Sequence, residues 1–212
     1  MAVASDAANW PAHGLEETTL AAEPDDQFNL WMAQAVAFGI PEPTAMILAT
    51  VSAAGQPGAR TVLLKGHDAS GFTFYTNRTS RKGSDLGEVP RACLLFPWHA
   101  MHRQVIIEGP VTPVPATASE EYFGTRPRAS QLAAWASRQS TVIGSRGELE
   151  ARYARMEQRW PDGEQIPLPV FWGGYLLVPQ TFEFWHGRAN RMHDRLRFRR
   201  QGNTWVVERL AP

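Results

Sequence analysis

Ala45-Met46-Ile47-Leu48-Ala49-Thr50-Val51, Arg60-Thr61-Val62-Leu63-Leu64-Lys65, Phe72-Thr73-Phe74-Tyr75-Thr76 and Arg91-Ala92-Cys93-Leu94-Leu95-Phe96-Pro97-Trp98 are four short runs rich in β-branched and aromatic residues. Turn-forming pieces such as Ala54-Gly55-Gln56-Pro57-Gly58 and Asp68-Ala69-Ser70-Gly71 separate them, and a fifth run, residues 103–111, follows directly. Parallel neighbours need a crossover of about a dozen residues or more, and these gaps are too short for one. The strands are therefore predicted to be antiparallel and to form a barrel or sandwich.

Working outward, residues 26–38 place Phe28, Leu30, Trp31, Ala33, Ala35, Val36 and Phe38 at roughly helical spacing, and Gly39, Pro41 and Pro43 end the pattern. Beyond the fifth run the chain turns helical. Thr117-Ala118-Ser119-Glu120 fits a capping box, residues 130–137 repeat apolar positions at helical spacing, and residues 146–160 pair Glu148 with Arg152. After the Pro-rich link 161–169, strand texture returns in 171–178, 181–185, 195–199 and 205–209, with Gln201-Gly202-Asn203 as a hairpin turn. The expected architecture is mainly β with helices, an antiparallel barrel in one domain over residues 26–212, with a helical insertion at about 116–160.

The 212 residues suit one well-buried core. Lys plus Arg and Asp plus Glu both number 21, so no global field favours a polyanion or an anionic membrane, and anion recognition has to be local. Cys93 has no partner for an internal disulfide and lies in an apolar run, which reads as a buried, inert thiol. No segment approaches the ~20 apolar residues of a membrane span, and the start lacks a basic-then-apolar leader, so the expectation is a cytoplasmic protein. Residues 1–25, rich in alanine and acids without clear periodicity, are expected to form a flexible arm.

There is no G-x-G-x-x-G, Walker G-K-[ST], H-E-x-x-H, paired C-x-x-C or G-x-S-x-G motif. His99 and His102 lack a third ligand nearby and read as turn or surface histidines, so no metal is expected. What stands out is cations set beside hydroxyls and amides, the ligand set for phosphate. One group is Arg60 with Lys65, which strand alternation puts on opposite faces and so with different anions. A second is residues 75–82, where a strand ends and a short helix can begin, which favours phosphate. Others are residues 122–130, with Tyr122 and Arg126 four apart, and Arg138-Gln139-Ser140-Thr141. Residues 183–195 can present an aromatic plane, a guanidinium and an imidazole together, suited to a flat cofactor and a proton near neutral pH. The alternative there is an exposed Arg-rich hairpin; the stacking platforms of RNA-binding domains are not evident.

In this order, Pro43-Thr44-Ala45-Met46, the 60–65 run, Phe74-Tyr75-Thr76-Asn77 with Ser80-Arg81-Lys82, Leu95-Phe96-Pro97-Trp98, Arg103-Gln104-Val105, Phe171-Trp172-Gly173-Gly174, Glu183-Phe184-Trp185, Arg191-Met192-His193-Asp194-Arg195 and Arg209-Leu210-Ala211-Pro212 resemble the pyridoxine/pyridoxamine 5′-phosphate oxidase family. The resemblance runs from about residue 28 to the end. It implies an FMN-binding split barrel and a homodimer with FMN at the interface. It places Arg60, Thr61, Val62, Leu63, Tyr75, Thr76, Arg81, Lys82, Gln104, Gln139, Ser140, Trp185 and Arg195 at FMN. It gives the substrate phosphate to Lys65, Tyr122, Arg126 and Ser130. Arg191 and His193 would lie over the pyridine ring as the catalytic residues, with C4′ set for hydride transfer to the flavin. The phosphorylated B6 vitamers are then the substrates and O2 the acceptor, and hydrogen peroxide is released, with ammonia from the amine.

Three departures stand out. The family's Arg-x-x-Tyr pair in the arm is replaced by Ala7-Ala8-Asn9-Trp10, Glu42 stands for a usual Asp, and His186 for a usual Gln. The competing readings are a sibling oxidase of the same fold acting on another flat substrate, such as a phenazine precursor, and a non-catalytic flavin or pyridoxal-phosphate carrier. The second would bind both ligands and consume no oxygen.

Overall fold

The computed structural model describes residues 14–212. Ten strands are present: β1 (Ala45–Val51), β2 (Pro57–Leu63), β3 (Gly66–Asp68), β4 (Gly71–Asn77), β5 (Arg91–Trp98), β6 (Arg103–Pro113), β7 (Trp172–Leu177), β8 (Thr181–His186), β9 (Asp194–Gln201) and β10 (Thr204–Arg209). Every pairing is antiparallel, as the short connections required. Five α-helices accompany them: α1 (Pro24–Phe38), α2 (Arg81–Glu88), α3 (Ala116–Thr125), α4 (Arg128–Ala136) and α5 (Arg146–Arg159). The sequence reading contained no β3, since Gly66 and Asp68 are poor strand formers. Pairing with β4 imposes it.

The sheet forks at β6. One path runs β10-β9-β8-β6-β5-β1-β2, and a second leaves β6 through β7 to β4 and β3. Residues 103–108 of β6 pair with β8, and residues 111–113 pair with β7. Gly109 sits at the change of partner. A Cβ built there would lie 1.9 Å from the Val178 carbonyl oxygen and 2.9 Å from its carbon. The approach lets Val178 N–H donate to Pro110 O at 2.9 Å and Gln180 N–H to Glu108 O at 2.8 Å. This is the split of the barrel.

Side chains alternate as strands demand. Met46 and Leu48 of β1, Leu94, Phe96 and Trp98 of β5, Val105 and Ile107 of β6, Phe182 and Phe184 of β8, and Leu196 and Phe198 of β9 are all buried in one core. Helix α1 closes it with Phe28, Trp31 and Ala35, three and four residues apart. Phe28 packs edge-on against Phe72 and Phe96, each at 5.0 Å. Gly39 ends the helix in the left-handed conformation. A second core under α3–α5 gathers Phe123, Leu132, Trp160, Ile166 and Trp172.

Several expectations change here. The capping box at 117–120 does not form: α3 starts directly after Pro115, so Thr117 is already inside the helix and no side chain caps it. Ser119 is buried instead, and its Oγ accepts from Gly174 N–H at 3.1 Å, fixing α3 to β7. The flexible arm does not extend to residue 25. Residues 14–25 pack on the barrel, with Leu15 buried, and α1 begins at Pro24. The expectation for residues 1–13, including the 7–10 departure, lies outside the described residues. Cys93 is half-buried rather than fully enclosed, and burial pushes its thiol up to about 11, consistent with an inert group. His102 closes the 99–102 turn, its N–H donating to His99 O at 2.9 Å. Among the described residues no helix is long and apolar enough to cross a membrane.

Gly109→Ala is expected to cost about 2 kcal/mol or more in urea unfolding, because backbone rather than a flexible side chain must yield. Gly87→Ala, which meets nothing within 4 Å, is expected to be neutral or slightly stabilising.

Candidate active site

Strand β2 carries the chain along β1 to Leu63. Leu64 N–H still donates to Thr44 O, but Lys65 N–H donates to Thr73 O, on β4. The chain has therefore changed partners between the two, yet the alternation carries through: Leu64 is buried in the core, while Thr61, Leu63 and Lys65 line a cleft of about 400 Å3, on the face away from Arg60. Arg60 turns toward Thr50, to which it donates at 2.7 Å, and Asp85 at 3.8 Å.

The cleft lies between the barrel and the inserted helices. It collects Thr61, Val62 and Leu63 of β2, Tyr75 and Thr76 of β4, Lys82 of α2, Gln139, and the group Lys65, Tyr122, Arg126 and Ser130. Eleven residues expected in two separate ligand sets thus share one cavity. No Asp or Glu lines it. Lys82 is 8% exposed, and its Nζ donates to Gln139 Oε1 at 2.8 Å, a neutral acceptor. Burial lowers its affinity for its proton, and the nearby Arg60 adds to that. Arg126 is half-buried, 4.8 Å above the Trp172 ring, with burial lowering its pKa. Its Nη1 is buried without an acceptor. A guanidinium donor left open in an acid-free cleft is the complement of an anionic oxygen.

A second cationic group adjoins Lys82. Ser80 caps α2, accepting from Gly83 N–H, which leaves the first-turn N–H groups of Arg81 and Lys82 at the positive end of the helix. A Cβ on Gly58 would lie 2.8 Å from Arg60 Nη2 and 3.4 Å from Arg81 Cζ, so two guanidinium groups converge over a residue with no side chain. Asp85 is the carboxylate paired with Arg60 there.

Sequence reasoning missed Asn77, Ser137 and Trp172 in the lining. Trp172 stacks on Tyr75 at 5.5 Å and 11°, and Tyr75 stacks on Tyr122 at 4.1 Å and 19°. A signal was present in Trp172-Gly173-Gly174: Tyr75 pairs with Gly174, where a Cβ would meet its ring at 2.7 Å. The glycine makes room for the aromatic.

The remaining expected residues lie outside this cleft's lining. Gln104 and Trp185 face each other in the β6–β8 register. Arg195 is held by Glu183 at 2.8 and 3.0 Å and by Ala211 O at 2.9 Å. Ser140 is left-handed, with φ 70°. His193 packs 4.7 Å from Trp185, and its Nδ1 accepts from Arg188 N–H at 3.1 Å, which puts the proton of the neutral ring on Nε2. Arg191 lies in the exposed turn before it, with φ 59°. One chain therefore carries two groups of candidate residues that it does not join.

The departures have physical content too. Glu42 has φ 47°, a conformation Asp tolerates better. His186 is buried with Nδ1 unpartnered, and burial, reinforced by Arg103, pushes its pKa down to about 4.

The family model described as pyridoxamine 5′-phosphate oxidase matches residues 32–160, and that described as the pyridoxine 5′-phosphate oxidase C-terminal dimerisation region matches residues 172–212. A pyridoxine/pyridoxamine 5′-phosphate oxidase of Acidothermus cellulolyticus is 53% identical over 205 residues, covering 95% of this chain and 91% of its own. One of Bordetella petrii is 54% identical over 199 residues, covering 93% of each. Among solved structures, PhzG from Burkholderia lata 383 in complex with tetrahydrophenazine-1-carboxylic acid superposes with a TM-score of 0.88 at 30% identity, over 96% of this chain and 99% of that one.

Since the folded pKa of His186 lies below its ordinary 6.5, the unfolded chain binds more protons between the two, and stability is lost as pH falls from about 6.5 toward 4. Urea unfolding is expected to show His186→Gln losing about 1–2 kcal/mol less than the parent between pH 7 and pH 5.

Proposed function

The chain belongs to the pyridoxamine 5′-phosphate oxidase family, and from that premise we propose that it oxidises pyridoxine 5′-phosphate and pyridoxamine 5′-phosphate to pyridoxal 5′-phosphate, with FMN as cofactor and O2 as acceptor. The observation that carries this reading is the acid-free cleft, in which Lys65, Tyr122, Arg126 and Ser130 meet and a buried Arg126 donor has no partner in the chain. Such a site favours a dianion over a neutral vitamer.

Two anions need two cationic groups. Lys65 and Arg126 take the substrate phosphate, with Tyr122 and Ser130 as hydroxyl donors. Arg81, Lys82 and the α2 N-terminus, with Arg60 behind them, suit the phosphate of FMN. Thr61, Val62, Leu63, Tyr75, Thr76, Gln139 and Ser140 complete that side. When bound, FMN would supply the two-electron redox chemistry, for which C4′ of the substrate is the donor and O2 the final acceptor, with hydrogen peroxide as the by-product. The protein's part is to hold, orient and exclude water. The Tyr75, Tyr122 and Trp172 stack forms a dry wall that also supports Arg126. With the amine substrate, one water hydrolyses the imine product and ammonia leaves.

Gln104, Trp185, Arg191, His193 and Arg195 come to the site from a second copy on this reading, with Arg191 and His193 over the pyridine ring. Four of these five fall within the matched dimerisation region, which supports a homodimer whose two sites each use both chains. A chain with a single cysteine makes no internal disulfide and needs no oxidising compartment, which suits a cytoplasmic location. The likeness to PhzG keeps one second reading, a sibling oxidase acting on a phenazine precursor.

The test is oxygen uptake by the yellow protein with both phosphate esters and with free pyridoxine, following pyridoxal 5′-phosphate by absorbance. Turnover confined to the esters is expected. Bound FMN without turnover on either ester would favour the sibling oxidase. Arg126→Ala is expected to raise KM for both esters about tenfold or more, and Lys82→Ala to weaken FMN retention about tenfold.

A further inference from the structure

The turn that carries Arg191 and His193 is not held by its own packing. Asn190 and Arg191 are consecutive non-glycine residues with φ of 57° and 59°, Met192 is 69% exposed, and no residue of the 189–191 turn is buried. Two left-handed residues in a row persist only where the surroundings over-determine them. Bonds within the turn include Met192 N–H to Ala189 O at 3.2 Å and Arg188 N–H to His193 Nδ1 at 3.1 Å.

What anchors it is Asp194. Its Oδ2 accepts from Leu15 N–H at 3.1 Å and lies 3.6 Å from Arg188 Nη1; its Oδ1 accepts from Arg209 Nη1 at 2.9 Å. Arg209 in turn donates to Leu15 O at 3.1 Å and to both carboxylate oxygens of Glu17, at 2.8 and 2.7 Å. Leu15 is buried in the barrel core, so the segment is fixed at one end by apolar packing. The contact is close: a Cβ on Gly14 would lie 2.1 Å from both Arg188 Nη1 and Asp194 Oδ2.

We propose that residues 15–17 form a strap that positions His193 and Arg191 through Asp194 and Arg209, with Asp194 as the principal positioning residue for the oxidase reaction. The idea rests on the roles given above to Arg191 and His193. Asp194 touches no reacting atom; it pulls Arg188 into place, and the Arg188 N–H then sets the His193 tautomer, presenting Nε2–H as a donor. Removing the Asp194 charge frees Arg188 and lets the imidazole exchange tautomers.

The test uses the full-length FMN-loaded protein labelled with 15N-histidine, the His193 resonances being assigned with His193→Gln. The parent is expected to show a single Nε2–H tautomer at pH 8. Asp194→Asn is expected to show a tautomer mixture and about a tenfold loss of kcat/KM, mostly in kcat, with FMN affinity within twofold. Glu17→Ala, at the exposed edge of the strap, is expected to show the same change at smaller amplitude, and Arg209→Lys an intermediate one. An unchanged His193 spectrum in both Asp194→Asn and Glu17→Ala would overturn the strap. A tautomer change in those variants, in a parent that turns over no phosphate ester, would instead overturn the assigned reaction and leave the strap standing.

Discussion

The fold depends on the close approach at Gly109. Strand β6 must serve two sheets, and it can pass from β8 to β7 only because the 178–180 turn comes within bonding distance of its backbone. No side chain fits between them. From this fork one branch carries β8 and β9 with the aromatic and basic turn between them, and the other carries β7 and β4, the floor of the cleft. Without the fork, Tyr75 and Trp172 would not share a wall with α3.

The chemistry of the cleft follows from what is missing as much as from what is present. Three cations line a partly dry cavity in a chain whose total charge is zero, and no carboxylate lines it to neutralise them. Desolvation lowers the pKa of Lys82 and of Arg126, and this free-energy cost falls when an anion enters. Trp172 supports Arg126, whose Cζ lies 4.8 Å above its ring, while Nη1 stays buried without an acceptor. The acids of the protein are spent elsewhere: Glu183 on Arg195, Glu208 on Arg197 and Arg199, Glu17 on Arg209.

The two groups of candidate residues on one chain give the arrangement its logic. Residues on β2, β4 and α2–α4 build the anion cleft, and residues on β8 and β9 build a separate aromatic and imidazole edge. The matched dimerisation region covers β7–β10, and in the proposed homodimer it would bring one chain's edge to the other chain's cleft. Such an edge has to keep its shape before it meets its partner. Docking of residues 14–17 on Asp194 and Arg209 is suited to that purpose.

Much of this was legible in sequence, for identifiable reasons. Short gaps between β-rich runs dictated antiparallel pairing, and the boundaries of β1 and β5 followed from alternation bounded by turn residues. Glu148 and Arg152, four apart on a solvated helix, paired as i,i+4 geometry requires, with their charged groups in contact. Other features needed tertiary context. Thr117 had the pattern of a cap, yet Pro115 began the helix first and Ser119 was claimed by β7. Residues 14–25 lacked periodicity because long-range partners such as Arg209, not a repeating face, hold them. Sequence by itself determined every strand but β3, their antiparallel sense and the cationic, hydroxyl and amide residues gathered in the cleft, since local propensity and residue type suffice for these. Only the tertiary structure decided that the Lys65 backbone meets β4 rather than β1, that Trp172 walls the cleft, and that the residues of 183–195 lie outside its lining, because each depends on which distant backbone the chain meets.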